Sequence, residues 1–126
     1  MLFKRSQVAT TEHLETTVQP DEVGVSMYLH GRLGIDSSPD FRNQLLAILR
    51  EQTQGIVTVD LTDVSYIDSS GIATLIEALR VAHSHGITLG LRGLQGRLVH
   101  LFEVTGVMAL FEKSGCLVPS SGAKVI

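Results

Sequence analysis

The stretch VDLTDVSYIDSSGIATLIEALR, residues 59 to 80, contains the turning point of the chain. Its opening continues the run IVTVDL from Ile56, apolar without strict alternation, as expected of a strand covered on both faces. After Asp68-Ser69-Ser70-Gly71, the residues Ile72, Leu75, Ile76 and Leu79 recur at helical spacing, while Glu77 and Arg80 point elsewhere and Gly86 stops the helix. This predicts a central strand over IVTVDL, a loop, and a helix starting near Ser70. Open α/β sheets place their sites at the carboxyl ends of such strands, and two serines stand there.

Working outward, Leu14 to Val18 and Val23 to Leu33 are rich in β-branched and apolar residues, separated by Pro20 and Asp21. Turn chemistry between two such runs predicts an N-terminal β-hairpin. Val23, Val25, Met27 and Leu29 alternate with more polar neighbours and predict its buried face. In SSPDFRNQLLAILREQ, Ser38 suits a helix cap, Pro39 the first helical position and Asp40 the positive end of the dipole. Phe41, Leu45, Ile48 and Leu49 share one face of that helix. A strand from Ile87 to about Leu91 and a short helix carrying Leu98, Leu101 and Phe102 complete the order β-β-α-β-α-β-α. Strands joined by helices lie parallel, so the expected class is α/β: a small mixed sheet, made of the hairpin and then parallel βαβ units, with helices packed on it. Residues 1–11 read as a loose tail, 12–113 as one domain, and 114–126 as an irregular tail.

Composition narrows the function. At 126 residues, 44% hydrophobic and 18% charged, the chain suits a globule with its own core. No apolar run approaches the ~20 residues of a membrane span, and the start has two basic residues with no apolar stretch behind them, unlike a secretory signal. A cytoplasmic protein without direct membrane insertion is expected. The single Cys116 excludes an intrachain disulfide and reads as a small buried hydrophobe. Net charge is −3 and the basic residues are scattered, so the electrostatic stripe that attracts nucleic acid is missing.

The serine pair allows more than one reading. Ser70 could be a helix N-cap and nothing more. The same free N–H groups also stabilise a phosphate attached there, so capping and modification are compatible. A hydrolase nucleophile fits less well, because Ser70 has glycine on one side only and no histidine that the sequence brings near it. His83 and His85 form a lone H-x-H near a helix end, which reads as a solvated cluster rather than a metal site. LGLRGLQGR lacks the Lys-Ser/Thr of a phosphate-binding loop. No enzyme, metal or cofactor is expected.

The segments VDLTDVSYIDSSGIATLIEAL, GRLGIDSSPDFRNQL and GITLGLRGLQGRLVHLFEVTGVMALF resemble the STAS domain, the family named for sulfate transporters and anti-sigma factor antagonists, over about residues 14 to 112. In anti-sigma factor antagonists the serine directly before the glycine is phosphorylated by an anti-sigma factor that is also an ATP-dependent serine kinase, and a serine phosphatase restores it. The resemblance therefore implies phosphorylation at Ser70 and partner binding through Asp36, Asp68, Ser69, Ser70 and Gly71, by a protein that is a monomer when free. It also leaves an alternative, an accessory STAS subunit of a membrane transporter such as a phospholipid-transport ABC system. After Phe111 the family continues into an amphipathic helix, whereas EKSGCLVPSSGAKVI has no helical periodicity.

Overall fold

A computed structural model describes residues 7–10, 13–52 and 55–113. Five strands form one sheet in the order β1-β2-β3-β4-β5: β1 Gln7–Thr10, β2 Leu14–Pro20, β3 Gly24–Leu33, β4 Ile56–Ile67 and β5 Thr88–Arg92. The first three pair antiparallel, and β3/β4 and β4/β5 are parallel. The mixed α/β class is as expected. Asp21 closes the β2–β3 turn by accepting the N–H groups of Val23 and Gly24 at 3.1 and 2.8 Å, a local bond that stabilises such turns. Parallel neighbours need crossovers, and helices α1 Ser38–Glu51 and α2 Ser69–Ser84 supply them.

Three expectations about the strands need correction. The segment read as a loose tail contributes β1, whose Gln7–Thr10 pair with Val18 to Glu15. Its residues have no strong strand pattern; the free edge of β2 organises them, and strand formation depends on such context. The middle place in the sheet belongs to β3, with β4 beside it. Finally, β4 does not stop at Leu61 but runs on to Ile67, because β3 continues alongside as far as the Leu33↔Ile67 pair. The register shifts between Tyr28 and His30 and between Gly31 and Arg32. Such irregularities break the period-2 pattern, which is why this stretch reads as a loop in the sequence.

All the apolar residues expected inside α1 are buried: Phe41, Leu45, Ile48 and Leu49. In α2, Ile72, Leu75 and Leu79 are buried and Ile76 only partly so. They meet Val18, Met27, Val57, Val59 and Leu89 of the sheet in one core. Val23 is 58% exposed because it lies in the turn before β3. The chain then forms α3 Arg97–Val104, a turn at Gly106, and α4 Val107–Lys113. The sequence spacing does not predict the last helix; its Val107, Met108 and Phe111 are buried in the core. Cys116 and the 114–126 tail lie outside the described residues.

Candidate functional site

The extension of β4 delivers Asp68 to the end of the sheet beside β3, where its N–H bonds to the Leu33 carbonyl at 3.2 Å. Asp68 has extended backbone and is the N-cap of α2; its Oδ1 accepts the N–H of Ser70 at 2.9 Å and that of Gly71 at 3.3 Å. The expected cap was Ser70. Asp68 takes that role because the helix begins at Ser69, two residues earlier than a Ser70 cap requires, and an N-cap reaches the second and third amides of its helix. Ser70 is thereby relieved of capping.

The Ser70 hydroxyl donates to Asp68 Oδ1 at 2.6 Å. Ser38 Oγ lies 3.2 Å from Ser70 Oγ; since a hydroxyl carries one hydrogen, Ser38 is the donor in that contact. Ser38 was expected to cap α1, but the cap position is Ser37, whose hydroxyl donates to the Arg32 carbonyl at 2.8 Å and accepts the Gly34 N–H at 3.1 Å. Ser70 is half-buried and opens on a shallow groove of about 350 Å³ between the first turns of α1 and α2, lined by Ile35, Ser38, Arg42 and Thr74 among others. One turn further along, Arg42 Nε and Nη2 donate to the two oxygens of Glu77, each at 2.6 Å, and hold the helices side by side. Glu77 is lowered and Arg42 raised in pKa by this pairing.

The other expected contact residues separate into exposed and buried. Ser69 is exposed beside Ser70. Asp36, in the loop between β3 and α1, has a side chain 68% exposed with its Oδ2 3.6 Å from His13 Nε2. It shares with Asp68 a depression of about 260 Å³ whose wall includes Arg32 and Tyr66, the guanidinium of Arg32 lying 4.1 Å from the centre of the Tyr66 ring. Gly71, however, is buried. A Cβ there would sit 2.8 Å from Ile67 Cγ1 and 2.9 Å from both Leu33 Cγ and the Leu33 carbonyl oxygen. Its glycine is required for the close approach of α2 to the strand ends. Gly71→Ala should cost about 1–3 kcal/mol, the usual range for overpacking, seen as a lower denaturant midpoint. An unchanged midpoint would show that α2 shifts outward freely.

Electrostatically, Asp68 is the centre. The Ser70 hydroxyl foremost, with the N–H groups of Gly71, Ser70 and Ile35, holds its carboxyl below the usual range against the opposing effect of burial. A carboxyl lowered in the folded state adds stability above its unfolded pKa of about 3.9, and that contribution is lost as pH falls through the folded value. The stabilisation is thus complete at neutral pH and disappears only in acid, below about pH 4. In Ser70→Ala the Asp68 pKa should rise toward the ordinary value, measured by carboxyl-carbon NMR titration; an unchanged value would remove the hydroxyl as the main cause.

Sequence reasoning missed Ser38, Gly34, Ile35 and Arg42. Only the SSP signature hinted at Ser38, as a cap, and nothing local shows that it meets a residue 32 positions later. Among the described residues no three His, Cys, Asp or Glu side chains gather as a metal site, and no helix is long and apolar enough to cross a membrane.

With this geometry the chain can be placed among known proteins. The sequence pattern of the family described as "Mlab, STAS domain" matches residues 16–118. The anti-sigma-B factor antagonist of Bacillus subtilis (strain 168) is 26% identical over 102 residues, covering 81% of this chain and 92% of that protein. The anti-sigma-B factor antagonist of Staphylococcus aureus (strain NCTC 8325 / PS 47) is 30% identical over 98 residues, covering 78% and 88%. A crystal structure of an anti-sigma factor antagonist from Mycobacterium paratuberculosis superposes with a TM-score of 0.67 at 18% identity, over 89% of this chain and 91% of that one, a likeness of fold. The chain belongs to the STAS domain family and to the anti-sigma factor antagonists within it. These relatives are named as antagonists of a regulatory protein rather than as enzymes.

Proposed function

We propose that this protein is a partner-switching regulator that binds an anti-sigma factor while Ser70 carries a free hydroxyl and releases it once Ser70 is phosphorylated. The observation that carries the reading is the division of labour at α2: Asp68 caps the helix, leaving the Ser70 hydroxyl at the mouth of an open groove, oriented at 2.6 Å by the Asp68 carboxylate. The anti-sigma factor is also the serine kinase. Ser70 Oγ bonds to the γ-phosphorus of the kinase's ATP as the bond to the ADP oxygen breaks, and a base of the kinase takes the hydroxyl proton. A serine phosphatase reverses the modification. In-line transfer of this kind depends mainly on positioning, which Asp68 and Ser38 supply from this side.

On this reading the antagonist provides a surface and an acceptor, acts in the cytoplasm as a monomer when free, and performs no catalysis of its own. Asp36, Asp68, Ser69 and Ser70 form the contact face, with Gly71 beneath it. The transporter-subunit alternative is less favoured, given the antagonist names of the relatives aligned above. Capture from native lysate followed by identification separates the two. A small histidine-kinase-like ATPase is expected; transporter subunits in its place would overturn the proposal. Amide shifts on adding the purified ATPase should cluster at Asp36 and Ser69–Ser70, and changes confined to the Pro20–Asp21 turn would contradict the contact face.

A further inference from the structure

Between the two depressions stands Ile35, 73% exposed and lining both. An exposed aliphatic side chain by itself is ordinary. This one is held in a tight turn: the Gly34 carbonyl accepts the N–H groups of Ser37 and Ser38 at 3.1 and 2.8 Å, and the Ile35 N–H donates to Asp68 Oδ2 at 3.2 Å. The turn packs closely on that carboxylate, since a Cβ on Gly34 would lie 2.9 Å from Asp68 Oδ2. The other oxygen of the same carboxylate accepts the Ser70 hydroxyl. One side chain therefore joins the phosphoacceptor to the apolar tip of the neighbouring loop.

We infer that Ile35 is the apolar anchor of the anti-sigma factor interface and that Asp68 couples its placement to the state of Ser70. This rests on the partner-switching reading and names what that surface presents. Ile35 has Asp36 next to it and Asp68 behind it, so the complementary surface is an apolar pocket bordered by a cation or a hydrogen-bond donor. Phosphorylation converts Ser70 Oγ into an ester oxygen without a hydrogen, ending its donation to Asp68, and sets a dianion against that carboxylate. Asp68 turns away from the new charge, the Ile35 N–H loses its acceptor, and the anchor leaves its docking position. Release of the partner then has two causes acting together: charge at Ser70 and loss of the preformed loop.

The coupling is tested without any partner, on the full chain with phosphoserine installed at position 70 during translation. Relative to the unmodified chain, the Ile35 amide proton should move upfield as its hydrogen bond to a carboxylate is lost, while the amide of buried Leu75 stays in place. An unmoved Ile35 resonance overturns the coupling. The anchor is tested with the anti-sigma factor recovered by capture. Ile35→Ala, a change at an exposed position, should keep the fold and weaken binding about tenfold or more, with Ile35→Leu restoring most of it. Wild-type affinity in Ile35→Ala overturns the anchor while leaving the proposed function standing. Absence of any binding by the unmodified wild-type chain overturns that function and the anchor with it, and the amide measurement reports separately on the coupling.

Discussion

Phosphate on Ser70 is expected to weaken binding to the anti-sigma factor by about tenfold or more while the domain stays folded. The fold survives because a dianion of about −1.5 to −2 charges arrives at a helix start, where the dipole returns roughly 0.3–1 kcal/mol. The Ser38 hydroxyl, already donating to Ser70 Oγ across 3.2 Å, is on hand as a further donor. The complex does not survive, because a surface matched to a neutral hydroxyl has to accept a desolvated dianion next to ionised Asp68. Such an unpaired charge costs several kcal/mol, roughly 3–5 when one partner of a buried pair is missing.

Single substitutions follow from the same geometry. Ser70→Ala should bind constitutively and accept no phosphate, with Asp68 still capping through the Ser70 and Gly71 amides. Ser70→Asp should bind poorly, although one carboxylate replaces a phosphate only in part. Ser69→Ala should still be modified. Phosphopeptide mapping after incubation with the cognate kinase and ATP, together with affinities before and after, makes the test. Phosphate on Ser69 alone, or undiminished affinity with Ser70 fully modified, would return Ser70 to an accessory of the helix start.

The second large effect is on stability. Leu75 has no exposed surface and sits on α2 in the middle of the face that packs on the sheet. Leu75→Ala should cost about 2–5 kcal/mol, the transfer free energy of the lost methyl groups plus the cavity that close-packed neighbours leave unfilled. Denaturant titration measures it, and a loss well under ~1 kcal/mol would mean that the helix can collapse onto the site. Because Leu75 lies on the buried face, more than a turn beyond Ser70, the two predictions separate: Leu75→Ala should lower the unfolding midpoint without changing which serine is modified.

Hydrophobic spacing identified α1 and α2 because their buried residues repeat every three or four positions, a signal carried within a single segment. It missed β1 and α4, which are short and take their order from neighbours: the open edge of β2 for one, the core around Phe111 for the other. It also ended β4 too early, since bulged pairing with β3 erases the alternation that marks a strand.

From sequence alone came the α/β order, the main core faces and the position of Asp68-Ser69-Ser70-Gly71 at a strand-to-helix passage, all properties of local periodicity and turn chemistry. Folding decided what each member of that tetrad does. Starting the helix two residues before the place a Ser70 cap requires makes Asp68 the cap and frees Ser70, and the close approach of α2 to Leu33 turns Gly71 into a packing requirement. The contacts of Ser38 with Ser70 and of Ile35 with Asp68 join residues 32 and 33 positions apart. They exist only because the parallel pairing of β3 with β4 brings the carboxyl ends of those strands, and the helices that follow them, to the same end of the sheet. Distances of that kind are set by the packing of whole elements, which no window of neighbouring residues encodes.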